Sequence, residues 1–138
     1  MKTILLVAAL SIAGITAHAQ DEVWDASHNL KGYITKNGTI QDEHRNTLVQ
    51  FHQSGQMTDV HSNTVGYIID DYELQDASHN TVGYILNNGN VEDEHHQLIG
   101  KINPEGTGPV KDQHNNVIGY IDSTEPMWAA AYFFLLRY

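Results

Sequence analysis

From Val23 to Asp122 the hydrophobic and polar positions follow one short pattern, written six times. An apolar residue is followed by any residue and Asp, then by about three turn residues, Asn, and an apolar-Gly-Tyr-Ile run. The cleanest copies are Met57 to Ile68 and Leu74 to Ile85. Copies begin at Val23, Ile40, Met57, Leu74, Val91 and Val110, so the spacing is 17 residues four times and 19 once. Self-similarity at a fixed period decides architecture before any local motif does.

Each copy holds two strand signals and two turn signals. The first strand is the apolar-x-Asp stretch, as in Ile40-Gln41-Asp42, and the second is the Val-Gly-Tyr-Ile stretch, rich in β-branched and aromatic residues. Between them lie His28-Asn29, Arg45-Asn46, Ser62-Asn63, His79-Asn80, His96-Gln97 and Asn115-Asn116. Asn tolerates the left-handed backbone of a tight turn. The second turn reads Asn37-Gly38, Ser54-Gly55, Asn88-Gly89 and Glu105-Gly106, and Asn-Gly is a strong hairpin signal. An up-and-down meander of about twelve short antiparallel strands follows, placing the chain in the all-β class. With two-residue turns, the first apolar position of each repeat pairs with its final Ile or Phe. One face then collects Val23, Ile40, Met57, Leu74, Val91 and Val110 with Ile34, Phe51, Ile68, Ile85, Ile102 and Ile121. The repeated Asp and Gly share that face, and the tyrosines point the other way.

An apolar face needs a cover, and Met127 to Tyr138 offers one. Ser123-Thr124-Glu125-Pro126 in front of it reads as a helix start, a Ser/Thr cap followed by acid and Pro. The twelve residues from Met127 would give ~18 Å of helix at 1.5 Å per residue, with the helix placed over about residues 125–137, and five-residue strands are ~17 Å tall. Trp128, Phe133, Phe134 and Leu135 make it apolar on nearly every side, hence buried on every side. The economical arrangement is a closed antiparallel meander around a central apolar C-terminal α-helix. Gly32, Gly66, Gly83, Gly100 and Gly119 would leave room for it.

The Asn turns, the Gly-Tyr-Ile repeats and the hydrophobic C-terminal segment resemble the β-flower family of small bacterial repeat barrels. The resemblance covers residues 23–138 and implies hairpin petals around a central helix, similar to the tubby-like C-terminal domain. Two repeats depart: Val49-Gln50-Phe51 replaces Gly-Tyr-Ile, and Lys101 replaces a Tyr. The family implies no established activity. Tubby-like domains bind phosphoinositides through clustered basic residues, which this acidic chain lacks, so that function is not carried over.

The N-terminus changes the compartment. Lys2, an apolar run from Ile4 to Ile15 and Ala17-His18-Ala19 read as a secretory signal peptide over residues 1–19, cleaved after Ala19. A single repeat domain over residues 20–138 is then exported, periplasmic or secreted. It carries 17 acidic residues against six basic ones once Lys2 is removed, a net charge of −11. Nucleic acid is excluded as a partner, because its recognition needs a basic patch. With no Cys, stability must come from packing rather than disulfides.

Nine histidines are the compositional excess that points to chemistry. His28, His44, His61, His79, His95, His96 and His114 fall in or beside the first turn, which a closed meander would gather on one rim above six Asp residues. Imidazole and carboxylate suit Zn²⁺, Ni²⁺ or Cu²⁺, so His28, His44, His61, His79, His96 and His114 are candidate ligands of a divalent metal; no other cofactor is expected. Turn chemistry accounts for Asp and Asn without any ion. The outward Tyr33, Tyr67, Tyr84 and Tyr120 are either an aromatic surface for a glycan or protein or ordinary cross-strand stabilisers.

No catalytic residues are assigned: the chain has neither a Gly-x-Ser-x-Gly elbow nor a His-Glu-x-x-His zinc motif. The irregular feature of the pattern is the loop Asn103 to Pro109, where the two extra residues enter. The expected function is a non-catalytic exported module with a binding or structural role in the cell envelope, its partner an envelope protein, a membrane surface or a second copy. One alternative is a metal-binding or pH-sensing His/Asp rim. In another, Trp128, Phe133, Phe134 and Leu135 emerge and dock on a membrane or partner. A stack of repeats, as in YD-repeat or wall-binding proteins, is the rival architecture.

Overall fold

The computed structural model describes residues 21–136. The proposed signal peptide, with its Ala19 boundary, and the last two residues of the chain lie outside them. Twelve strands follow one another: β1 (Glu22–Asp25), β2 (Leu30–Ile34), β3 (Thr39–Asp42), β4 (Thr47–Phe51), β5 (Gln56–Thr58), β6 (Thr64–Ile69), β7 (Glu73–Asp76), β8 (Thr81–Ile85), β9 (Asn90–Asp93), β10 (Leu98–Lys101), β11 (Gly108–Asp112) and β12 (Val117–Ile121). Every neighbour in sequence is a neighbour in space, and β12 returns to pair with β1, so the sheet closes into a barrel. Closure removes the open edges that an exposed meander would present. It also rules out the extended stack.

The inward face is the one that alternation predicts. Val23, Ile40, Met57, Leu74, Val91 and Val110 are fully buried, and of their partners only Ile68 is merely half-buried. Register differs from expectation in two ways. The final Ile or Phe pairs with the first apolar residue of the next repeat, as Ile34 with Ile40 and Phe51 with Met57, and Ile121 pairs with Val23 across the closure. Within a repeat that apolar residue faces Gly instead, as Val23 faces Gly32 and Leu74 faces Gly83. Turns are the cause: within a repeat the Asp N–H bonds the carbonyl four residues on, as Asp25 to Asn29, while between repeats four linking turns carry a left-handed Gly in a loop longer than two residues and the fifth places Asp70 and Asp71 at φ 56° and 55°. Each hairpin also holds a bulge directly before its Gly-Tyr-Ile segment, which breaks strict alternation. Leu48, Val65, Val82, Ile99 and Ile118, outward by simple parity, therefore pack against the core.

Room for the core is made by the repeated glycine. A Cβ on Gly83, Gly100 or Gly119 would stand 2.8, 2.2 or 2.5 Å from a side-chain carbon of Leu135, Phe134 or Phe133. At Gly32 and Gly66 the nearest atom is a carbonyl oxygen of the neighbouring strand, at 2.2 and 2.5 Å, so there the glycine serves strand approach rather than the helix. Val49 shows what a side chain does at this position. Gly32, Gly66, Gly83, Gly100 and Gly119 each pair with the repeat Asp of the next strand, whereas the ladder between β4 and β5 stops at Gln50 and Thr58. β5 is accordingly cut to three residues.

The C-terminal segment lies inside the barrel, shorter than the sequence predicts. Its α-helical part, α1 (Pro126–Ala130), passes into a π-helical turn over Ala131–Leu135, closed by the Leu136 N–H donating to the Ala131 carbonyl at 2.8 Å. Glu125, not Ser or Thr, holds the N-cap position and makes no side-chain cap bond. Thr124 is buried instead, its N–H tied to the Gly106 carbonyl at 2.9 Å. Met127, Ala129, Ala130, Ala131 and Leu135 are buried, while the aromatic residues between them are partly covered, so burial is not equal on every side. No helix among the described residues is long and apolar enough to cross a membrane.

Candidate functional site

Six turns on one rim share one construction. The repeat Asp accepts, through Oδ1, the N–H of residues two and four ahead: Ser27 and Asn29 onto Asp25 at 2.9 Å each, Ser78 and Asn80 onto Asp76 likewise. Where the fourth residue is Asn, its Nδ2 also reaches Oδ2, as in Asn46 to Asp42 at 3.0 Å. These bonds hold Asp25, Asp42, Asp59, Asp76, Asp93 and Asp112 below the usual carboxylate range; the Asn46 side chain is the largest cause at Asp42, and the N–H four residues on is the largest at the other five. Asn is not the left-handed residue. That place belongs to the one before it: His28, Arg45, Ser62, His79, His96 and Asn115, with φ between 64° and 70°. A side chain there costs ~1–2 kcal/mol, so it needs a compensating contact.

The contact is the outward tyrosine of the preceding hairpin. His79 stacks on Tyr67 with centroids 4.1 Å apart, His96 on Tyr84 at 4.3 Å, and His28 on Tyr120 at 4.0 Å across the barrel closure. Arg45 takes the same position over Tyr33, its guanidinium carbon 3.8 Å from the ring centroid. A polar side chain paired with the tyrosine completes the ladder. Gln75 bonds His79 Nδ1 at 3.0 Å, Glu92 bonds His96 Nδ1 at 3.0 Å, and Gln41 accepts from Arg45 at 3.4 Å. The tyrosines are thus covered on one ring face rather than presented as a bare aromatic surface.

Two seams lack a tyrosine, and there the left-handed residue changes as well: Gln50 faces Thr58 and precedes Ser62, while Lys101 faces Lys111 and precedes Asn115. Their outcomes differ. Gln50 is absorbed into the fold, its Nε2 reaching the carbonyls of Asn37, Gly38 and Phe51 and its Oε1 accepting from Thr39 at 2.7 Å. Lys101 and Lys111 sit directly opposite one another on the outer face, and neither makes an ion pair among the described residues. They border a groove of about 390 Å³ whose walls include Asn88, Asn103, Pro104, Pro109 and Asn115. Like charges directly opposite on a sheet repel, so this is the one seam where the ladder is left unsatisfied.

The six histidines singled out as metal ligands divide between two structural places. His28, His79 and His96 are the stacked residues just described, and His44, His61 and His114 each donate a backbone N–H to the turn Asp at 2.8–2.9 Å. Among the described residues no three His, Asp or Glu side chains converge at metal-binding distance.

The helix residues lie within the barrel. Trp128 stacks on Phe51 with centroids 5.1 Å apart and planes 7° from parallel, and Phe133, Phe134 and Leu135 meet the glycine positions. Tyr132 follows them in, its hydroxyl pKa raised by burial and by Glu43. At the other rim the helix start is recessed, leaving a cavity of about 610 Å³ between Ile34, Lys36, Glu105, Thr124 and Trp128.

What the sequence missed here is the pairing of the left-handed residue with the tyrosine one repeat back. A signal existed. The residue before Asn (before Gln97 in the fifth repeat) is His or Arg wherever the preceding repeat carries Tyr, and Ser or Asn where it carries Gln or Lys.

Fold and rim together define a class: a closed antiparallel repeat barrel, clamped by Asp turns at one end and filled by its own C-terminal helix. The family model described as 5-fold beta-flower protein matches residues 19–137, and the chain belongs to that family. Six hairpins close the sheet here, joined by five turns on the rim where the helix enters. No curated protein and no solved structure matches the chain.

Proposed function

We propose that this chain is an exported, non-catalytic binding module of the cell envelope, with the β10–β11 seam as its contact site. One contrast carries the reading. Of the two breaks in the ladder, the one at Gln50 is consumed by four hydrogen bonds of the fold, and the one at Lys101 opens onto a groove with its charges unpaired. The insertion loop and both prolines of the repeat region fall at that same seam. Irregularity gathered at a solvent-facing place is where a repeat scaffold departs from packing rules for the sake of a partner. Export is supported by the Lys2, Ile4–Ile15 and Ala17-His18-Ala19 pattern.

Two measurements test this. Mass spectrometry of the periplasmic and secreted fractions should find the chain beginning at Gln20; a full-length chain confined to the cytoplasm would overturn export. A photo-crosslinking residue placed at position 115 in intact cells should give a discrete adduct that the same residue at position 62 does not give. Equal adducts at both positions, or none at 115, would overturn the assignment of the seam.

A further inference from the structure

We propose that the β10–β11 seam binds an oxyanion, a phosphate or sulfate group carried on a small soluble molecule. The inference deepens the binding-module reading and rests on it for the place of the site. Lys101 on β10 and Lys111 on β11 are directly paired, and alternation puts both side chains on the outer face with Gly100 and Val110 inward. Paired positions of this kind hold their Cβ atoms ~5 Å apart, so two flexible ammonium groups can close on one tetrahedral anion.

The carboxylates next to them are already engaged. Asp112 accepts the N–H groups of His114 and Asn116 at 2.9 Å each, and Glu92 on the neighbouring strand bonds His96. The amide walls of the groove add donors rather than acceptors: the Asn90 and Glu105 N–H groups take Oδ1 of Asn88 and Asn103, which leaves the two amide NH₂ groups for a ligand. Two cations and a set of amide donors, with no carboxylate among the residues lining the groove, suit an oxyanion and suit a cation badly.

The rest of the molecule limits the size of that ligand. A chain of net charge −10 repels an extended anionic surface. A small anion, in contrast, feels the two nearby ammonium groups within about one Debye length, ~8–10 Å at physiological salt. The groove, at about 390 Å³, has space for an organic part against Pro104 and Pro109.

Calorimetry on the full mature chain, with inorganic phosphate, inorganic sulfate and glucose 6-phosphate at matched ionic strength, tests the proposal. Saturable binding is expected, weakening as NaCl is raised, and Lys101→Gln or Lys111→Gln should each weaken it by about tenfold or more. A tighter response to the ester than to phosphate would place the organic part in the groove; equal responses would assign the site to the free anion. Vesicles of phosphatidylcholine with phosphatidylglycerol should not co-sediment the protein. Vesicle binding lost in the lysine variants would overturn the soluble-ligand assignment in favour of a membrane. As a fold-preserving control, Lys101→Tyr with Asn115→His rebuilds the stack of the other seams and should abolish the heat while the melting temperature holds or rises. No saturable heat in the wild type, or heat unchanged in the variants, refutes the oxyanion site. If the adduct at position 115 persists in that case, the binding-module reading stands and only the ligand class falls. If both fail, both fall.

Discussion

Gly100→Ala gives the sharpest test of how helix and barrel share space. The added methyl carbon would lie 2.2 Å from the Phe134 ring and 2.7 Å from the Lys111 carbonyl oxygen, both far inside contact distance. Gly100 is not in the left-handed region, so the backbone itself would accept Ala. In a strand that exchange alone would be favourable by ~0.5–1 kcal/mol. Overpacking works the other way by ~1–3 kcal/mol. Loss of the Gly100–Asp112 pairing, by analogy with the ladder that stops short of Val49, adds roughly 0.5–1.5 kcal/mol. The steric terms win, for a net destabilisation of about 2 kcal/mol. In a domain of this size that lowers the melting temperature by roughly 5–10 °C, read by circular dichroism and confirmed by urea titration. Gly66→Ala is the comparison, because it meets a carbonyl oxygen and the mobile end of Met57 but no helix ring. Phe134→Leu should recover part of the loss at Gly100 and none at Gly66. Equal losses at the two glycines, or no coupling between Gly100→Ala and Phe134→Leu, would refute the claim that the repeat glycine seats the helix there.

Truncation after Glu125 removes Met127, Ala129, Ala130, Ala131 and Leu135 from the core, so the expected product is an unfolded or aggregated chain by circular dichroism and size exclusion. A folded truncated barrel would show the helix to be dispensable and revive its role as a docking element. His79→Ala keeps the left-handed strain but loses the Tyr67 stack, and should cost about 1 kcal/mol; His79→Gly loses the stack and relieves the strain, so it should fall between Ala and the parent in thermal melts. The turn carboxylates set the acid limit. Their folded pKa values lie below the ordinary 3.8, so the stability they contribute is present in full above about pH 4 and is lost as pH falls through the depressed values. Melting temperature should therefore hold from neutral pH down to about 4 and drop below it, and Asp76→Asn should shrink that drop. A closed barrel of this length should scatter as a compact particle with a radius of gyration of ~13–14 Å, where an elongated one would contradict the closure.

The six-fold pattern beginning at Val23 determined a great deal unaided. Period-2 alternation and the Asp-x-x-x-Asn turns specified twelve short antiparallel strands, because each is a local choice that the chain makes with a few neighbouring residues. The inward set was legible for the same reason, and so was an apolar terminal segment too hydrophobic to leave uncovered. Tertiary structure decided what involves residues a whole repeat apart. Bulges turned Val65, Val82 and Ile118 toward the core, and longer loops passed each Ile to the following repeat, since register depends on turn geometry that composition leaves open. Histidine is the clearest case. Read alone it pointed to a metal rim, yet in three turns it is the planar group that offsets left-handed strain by stacking on the tyrosine of the neighbouring hairpin, twelve residues back for His79 and His96 and across the barrel closure for His28. The same pairing between neighbouring hairpins that brings those rings together sets Lys101 directly opposite Lys111. Only pairing between strands can turn two unremarkable lysines into a site, because charge repulsion depends on distance in space and not on separation along the chain.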